Sequence, residues 1–193
     1  MPEGLLIIRL VLGLLLIGHG TQKLFGWYGG HGLDGTGGFF EQLGFKPGRR
    51  MAMVAGVSEA GGGLLLVLGM LTWLGAAMVM GTMLVAAVTV HAPNGLWNTN
   101  SGYELPLING LVATGLAFTG AGSWSVDNAG NIPWTHGWGP GLSALVLSFI
   151  VGGLTLARRN RVLEAEAQPA YPDEAAATTT YQDVAERNAD INA

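Results

Sequence analysis

Residues 51–90 read MAMVAGVSEAGGGLLLVLGMLTWLGAAMVMGTMLVAAVTV. This stretch holds two apolar runs, 51–70 and 73–90, joined only by Leu71 and Thr72. A helix needs ~20 apolar residues, and at least ~17, to cross the hydrocarbon core of a bilayer. Because the connection is so short, the two spans must lie antiparallel and in contact. The stretch therefore predicts a membrane-embedded helical hairpin whose outer ends lie on the same side.

Three further apolar runs, 5–25, 105–121 and 139–157, extend this hairpin to five predicted transmembrane helices. The composition agrees, because 49% of the 193 residues are hydrophobic and only 11% are charged. Soluble domains carry roughly 25% charged residues. The first run lacks a basic n-region, contains Arg9 and has no prompt A-x-A site, so we interpret it as an uncleaved helix. The predicted fold class is an all-α membrane protein.

The charge distribution divides the chain into a transmembrane domain, 1–157, and an acidic tail, 158–193. Seven of the 13 acidic residues follow Arg161, and the tail is poor in large apolar residues, which predicts disorder. The chain has no Cys, which excludes a disulfide or thiol relay within it. Its few basic residues are scattered and form no nucleic-acid-binding stripe.

Five spans place the termini on opposite sides of the membrane, and the basic residues gather on the side of the tail. This side holds Lys23, Lys46, Arg49, Arg50, Arg158, Arg159 and Arg161. The positive-inside rule then makes the tail cytoplasmic. Arg9 is alone on the other side, where we expect its side chain to snorkel to the surface.

The loop at 26–50 contains a predicted short helix. Thr36 could cap this helix, which would carry Phe39, Phe40 and Leu43 on its apolar side. We expect the helix to lie in the membrane interface or to fold back over the bundle.

Ionisable residues recur at one end of the predicted bundle. His19 and Lys23 lie one helical turn apart in GHGTQKLFG, and Glu59 lies in the apolar segment GVSEAGGG. His91 ends the third helix and Glu104 opens the fourth. Alternating chain direction brings all five to the same end, where they form a predicted ligand or proton site. An isolated carboxylate in a membrane helix must be protonated or paired. Glu59 is the expected partner of His19 and Lys23, with His91 and Glu104 nearby.

Two interpretations of Glu59 remain open on the sequence alone: a proton-exchanging or headgroup-binding site, and a buried bond that only joins helices. No H-x-x-x-H or similar motif supports a metal site, and we predict none. GHGLDG at 30–35 matches G-x-G-x-x-G. It follows no strand and opens no crossover unit, so it does not predict dinucleotide binding.

Several segments in order along residues 5–130 resemble the DoxX family of bacterial membrane proteins: HGTQKLFGW, GTGGFFEQLGFKPG, GVSEAGGGLLLVLGMLT, VHAPNGLW, GYELPL and GAGSWSVD. The resemblance implies a four-helix DoxX-like core, to which this chain adds a fifth C-terminal helix and the tail. It also implies that the family's characteristic polar positions are occupied here by His19, Lys23, Glu59, His91, Asn94, Tyr103 and Glu104. The chain departs from the family at Trp73, where relatives often carry a base.

The family takes its name from a membrane subunit associated with quinone-linked sulfur oxidation, and some members are linked to oxidative-stress systems. The resemblance implies a class of bacterial inner-membrane proteins and not a reaction. Together with the predicted His/Lys/Glu cluster, it leads us to expect a redox-associated subunit with a site for a quinone-type or other small amphiphile. The chain shows no ligation pattern for haem or an iron–sulfur cluster, so a partner of a membrane oxidoreductase complex would supply electrons. The alternative is a non-enzymatic scaffold that recruits soluble oxidative-stress or sulfur-transfer proteins. A transporter is less favoured because no inverted repeat is visible, and the oligomeric state stays open.

Overall fold

The computed structural model describes residues 2–168, and every regular element in that range is helical. This confirms the predicted all-α fold. In chain order the helices are α1 (Pro2–Phe25), α2 (Gly32–Gln42), α3 (Gly48–Leu68), α4 (Thr72–Ala86), α5 (Glu104–Thr119), α6 (Val126–Ala129) and α7 (Trp138–Ala167).

Four helices in the described range are long and apolar enough to cross a membrane, namely α1, α3, α7 and the span Thr72–Asn94. That span begins with α4 and continues through a π-helical turn, Ala87–His91, and a 3-10 turn, Ala92–Asn94. The span predicted at 105–121 is realised as α5, which has 16 residues. At 1.5 Å per residue α5 measures ~24 Å, which is less than the ~30 Å hydrocarbon core.

Glycines let α1 and α3 approach each other backbone to backbone. A Cβ added at Gly13 would lie 2.6 Å from the carbonyl oxygen of Gly63, and one added at Gly20 would lie 2.6 Å from that of Gly56. Each pair of glycines is separated by two helical turns, so both contacts fall on one face of each antiparallel helix. This packing aligns the C-terminal turn of α1 with the middle of α3, beside Glu59.

The predicted hairpin of the second and third spans is present. It turns through Gly69, at φ 61°, and Leu71, at φ 46°. Gly75 of α4 packs on α3, because an added Cβ would lie 3.1 Å from the carbonyl oxygen of Gly62. On its other side α4 packs against α5, where the buried core includes Met80 and Leu116.

The α2 helix begins earlier than predicted and folds back onto α3. Thr36 does not cap it, since the helix starts at Gly32 and Thr36 lies buried inside it. A Cβ added at Gly37 would lie 2.9 Å from Cα of Arg49, so α2 and the start of α3 touch. The Glu41 carboxylate accepts a hydrogen bond from the backbone N–H of Gly48 at 3.0 Å. A carboxylate at a helix N-terminus is favourable, because it satisfies an unpaired amide and complements the helix dipole.

The last helix, α7, extends ten residues beyond the end predicted at 157, to Ala167. It therefore includes the first residues of the predicted tail. Residues through Val162 belong to one structural unit, which contains every site discussed below. The predicted disorder of the rest of the tail falls outside the described residues. Two arginines tie α7 to the α2–α3 loop, since Arg158 donates to the carbonyl of Lys46 at 2.9 Å and Arg159 to that of Leu43 at 2.6 Å.

Arg9 does not snorkel to the surface as predicted, because its side chain is fully buried. Its guanidinium donates to the backbone carbonyls of Trp124 at 2.6 Å and Leu66 at 3.5 Å. Gly69 leaves the space that the guanidinium fills, since a Cβ there would overlap the Nη1 atom. Nearby, buried Asp127 accepts bonds from the first residues of α4. Hydrogen bonds to backbone carbonyl oxygens therefore stabilise the charged guanidinium inside the protein.

Candidate functional site

An ion pair between Lys23 and Glu59 joins α1 to α3. The Lys23 ammonium contacts Oε2 of Glu59, as the antiparallel arrangement predicts. The carboxylate residue is only 3% exposed, whereas the Lys23 side chain is 24% exposed. One turn before Lys23, the missing side chain of Gly20 brings the two backbones together. A buried carboxylate is thus neutralised by an ammonium that keeps partial access to the protein surface.

The ion pair forms part of the wall of a cavity of about 370 Å³. Its walls come from α2, α3, the Thr72–Asn94 span and α7, and most of the lining side chains are apolar. Lys23 and Glu59 are the only carboxylate and ammonium among the described residues that line it. The remaining polar groups are His91 and five hydroxyls, from Ser58, Thr82, Thr89, Ser148 and Thr155. Apolar walls with a few placed polar groups are typical of small-molecule sites.

Aromatic residues of α2 and the following loop close one side of the cavity. Phe39, Phe40 and Phe45 all line it, and the rings of Phe40 and Phe45 lie 5.6 Å apart. The guanidinium of Arg159 lies 5.9 Å from the Phe45 ring centroid, within the range of a cation–π contact. The same guanidinium donates a hydrogen bond to the Leu43 carbonyl, so α7 positions these aromatic residues over the cavity. We call Phe39, Phe40 and Phe45 the aromatic roof.

His91 lies at the cavity wall, at the end of the π-helical turn. Its Nδ1 atom is 2.7 Å from the carbonyl oxygen of Ser101. A carbonyl oxygen only accepts, so Nδ1 must carry the hydrogen, and Nε2 is an acceptor in the neutral ring. The Asn94 side chain also donates to Ser101, at 3.3 Å, and so braces the same loop. Such π-turns recur at functional sites, where they change the direction of nearby side chains.

Two of the five ionisable residues predicted to converge lie elsewhere. His19 is exposed on α1, with Nδ1 3.2 Å from the side-chain oxygen of Gln22. Glu104 accepts a bond from the backbone N–H of Asn98 at 2.8 Å and so stabilises the loop before α5. Tyr103 enters the same loop through a backbone bond to Gly95. Of the five predicted residues, Lys23, Glu59 and His91 line one cavity, and His19 and Glu104 do not line it.

Helix α7 also lines the cavity, with residues that were not among the predicted site residues. Ser148, Gly152 and Thr155 all face the cavity. Their spacing of four and three residues is the signal that could have revealed them, because it places small and hydroxyl residues on one face of an apolar helix. Among the described residues, no group of three or more His, Asp or Glu side chains comes close enough to hold a metal ion.

Comparison with known proteins gives one family and two relatives. The family model DoxX matches residues 4–92, a segment that contains Lys23, Glu59 and His91. An uncharacterized protein of Haemophilus influenzae is 32% identical over 134 residues, which cover 66% of this chain and 90% of the relative. The inner membrane protein YqjF of Escherichia coli is 32% identical over 135 residues, covering 68% of this chain and 95% of that protein. No solved structure matches this chain.

Proposed function

Because the chain belongs to the DoxX family and has the helices of an integral membrane protein, we propose that it is a redox-associated subunit that binds a quinone-type amphiphile. We place it in the bacterial inner membrane, as the name of its Escherichia coli relative suggests, with its C-terminal tail in the cytoplasm. One observation carries the proposal: the buried Lys23–Glu59 pair forms part of the wall of an apolar cavity.

The size and lining of the cavity suit the headgroup of a small amphiphile. Its volume of about 370 Å³ lies at the lower end of the range for ligand pockets, ~300–1,000 Å³. The ring of a quinone would bury its apolar faces against the aromatic roof and the aliphatic walls. Its carbonyl oxygens accept hydrogen bonds, and the Lys23 ammonium is a donor at the same wall.

The ion pair also offers a route for protons. Reduction of a quinone to a quinol takes up two electrons and two protons. The electrons come from a redox partner protein, since the chain itself shows no ligation pattern for a haem or iron–sulfur carrier. The protons pass through Lys23, whose partial exposure links the buried Glu59 carboxylate to water. A side chain can act as a general acid or base when it lies within hydrogen-bond distance of the reacting oxygen.

The test is photolabelling of the purified protein in lipid nanodiscs with an azido-benzoquinone, mapped by mass spectrometry. Glu59→Gln and His91→Ala should reduce labelling of cavity peptides by about tenfold, equivalent to ~1.4 kcal/mol of binding. His19→Ala is the matched control, because His19 lies on the exposed side of α1 and should label like the wild type. Equal labelling of all four proteins, or labelling confined to surface peptides, would overturn the proposal.

The same variants distinguish this function from the scaffold. A scaffold that recruits soluble oxidative-stress or sulfur-transfer proteins would retain its partners in Glu59→Gln and lose them when loops or the tail are altered. The tail from 169 onward lies outside the described residues, whereas the cavity lies wholly within them. The cavity and its ion pair support the ligand site, and the scaffold stays the alternative that these variants test.

A further inference from the structure

The wall of the cavity is thin between α3 and α7. Val54 on α3 and Val151 on α7 both line the cavity, yet they are 58% and 53% exposed on the outer surface. A side chain that belongs to both the cavity and the surface marks an opening. Leu147, one turn before Val151 on α7, also lines the cavity and is 37% exposed. On the inner side of α7, Gly152 packs on Leu84 of α4, where an added Cβ would lie 2.9 Å from the leucine side chain.

We propose that the ligand reaches the cavity sideways from the hydrocarbon of the bilayer, through a portal between Val54 and Val151. This inference rests on the proposed function and adds the route and the ligand class. Both valines lie within apolar helices long enough to cross the membrane, so the portal faces lipid. On the side of the loop the cavity is lined by Phe39, Phe40 and Phe45, of which Phe39 is 45% exposed. The opening at the two valines lies between membrane-spanning helices, so it suits an apolar molecule.

The cavity volume determines how such a ligand is divided between protein and lipid. About 370 Å³ holds a headgroup ring and the first part of a tail, but not a long polyisoprenoid or alkyl chain. The rest of the tail must therefore leave through the portal, where it stays in hydrocarbon at no cost in exposed apolar surface. The headgroup lies against Lys23 and Glu59, and the tail lies between the two valines.

The charges at the wall specify an uncharged headgroup. Lys23 and Glu59 neutralise each other, and no other carboxylate or ammonium lines the cavity in the described part of the chain. A carboxylate or phosphate headgroup would bring one unbalanced charge into an apolar site, which is costly. A quinone or quinol brings none. We therefore expect a neutral ring with hydrogen-bonding oxygens and a tail that extends into the membrane.

The first experiment narrows the portal and measures photolabelling of cavity peptides by an azido-benzoquinone with a decyl tail in nanodiscs. Val54→Phe and Val151→Phe should lower labelling by about tenfold, equivalent to ~1.4 kcal/mol. Val57→Phe and Ile150→Phe are the controls, because these residues are similarly exposed on the same helices but do not line the cavity. Labelling of the wild type with no difference between portal and control variants would overturn the portal while leaving the proposed function intact.

A second experiment avoids bulky substitutions and uses the lack of native cysteines. Val54→Cys and Val57→Cys proteins are reacted with a lipid-soluble maleimide, with and without the decyl benzoquinone. The tailed quinone should slow the reaction at position 54 but not at 57, and a quinone without a tail should slow neither. Equal protection at both positions would contradict the portal. If the quinone neither labels the cavity of the wild type nor protects position 54, the proposed function fails with it.

Competition tests the headgroup class in the same preparation. Decanoate and decyl phosphate should compete with the decyl quinone about tenfold more weakly than a decyl quinol does, equivalent to ~1.4 kcal/mol. Competition by either anion as strong as by the quinol would overturn the neutral-headgroup assignment.

Discussion

Removal of Lys23 should destabilise the protein far more than removal of an equivalent surface cation. Lys23→Met leaves the Glu59 carboxylate, which is 3% exposed, without its counter-charge. Breaking a fully buried pair in this way costs ~3–5 kcal/mol. The Lys23 side chain is 24% exposed, so water screens part of the interaction, and we expect a loss of about 2–3 kcal/mol in the free energy of unfolding.

The assay is reversible unfolding by sodium dodecyl sulfate in dodecyl maltoside micelles, followed by circular dichroism. Arg49→Met is the control, since its 2.8 Å pair with Asp34 is exposed on both sides and should contribute only about 0–1 kcal/mol. The double variant Lys23→Met/Glu59→Leu should recover to within about 1 kcal/mol of the wild type, because two apolar residues replace both charges. A loss for Lys23→Met no larger than that for Arg49→Met, or no recovery in the double variant, would show that the buried pair does not stabilise the protein.

That double variant also separates structure from function. If the pair serves only to hold α1 against α3, a protein that restores stability with Met and Leu should behave like the wild type in every respect. If the pair binds a headgroup, the same protein should be folded and yet lose quinone labelling of the cavity. Lys23→Met/Glu59→Leu with wild-type stability and wild-type labelling would favour the purely structural interpretation that the sequence left open.

Three further substitutions test the rest of the framework. Gly69→Ala should lower the free energy of unfolding by about 3 kcal/mol, because alanine is strained at φ 61° and its Cβ would displace the Arg9 guanidinium. The control is Gly29→Ala, at φ 77° in open space. It should cost about 1 kcal/mol in the same detergent titration. Asp127→Ala should cost about 2–3 kcal/mol, since it leaves buried donors at the start of α4 unsatisfied. Arg159→Gln should accelerate amide hydrogen exchange in the α2–α3 loop, measured by mass spectrometry, while the unfolding midpoint changes little.

The sequence predicted the hairpin and the Lys23–Glu59 pair because each depends on a strong local constraint. A connection of Leu71 and Thr72 permits only antiparallel neighbours. Once direction alternates, the height of a residue in the membrane follows from counting 1.5 Å per residue. Counting from the predicted ends places Lys23 ~3 Å and Glu59 ~12 Å from the same end of the bundle, a difference that a long lysine side chain can span. A buried carboxylate in lipid needs a cation. These features follow from spacing and solvation alone.

The rest depended on the rotation of side chains about each helix and on local hydrogen bonding, which spacing does not define. His19 and Lys23 are four residues apart, but the long lysine side chain reaches α3 while the short imidazole stays on the exposed side. Glu104 has the right height, yet the nearest unpaired amide, that of Asn98, takes its carboxylate. Arg9 was expected to reach the surface, but backbone carbonyls beside Gly69 bind it inside. In each case the side chain binds a nearby partner that spacing along the sequence did not predict.

The buried charged residues Arg9 and Glu59 are accommodated in different ways, and the contrast supports placing the proposed ligand at the end that holds Glu59. The Arg9 guanidinium packs tightly against its partners, so that even a Cβ at Gly69 would overlap it. Glu59 has one hydrogen-bond partner among the described residues, Lys23, although an ionised carboxylate can accept about four bonds. Its unused capacity is exposed to a cavity instead of being filled by packing. An ion pair that only joined two helices would gain stability from being enclosed as Arg9 is, so the cavity beside Glu59 supports the proposed ligand site, which the labelling experiments test.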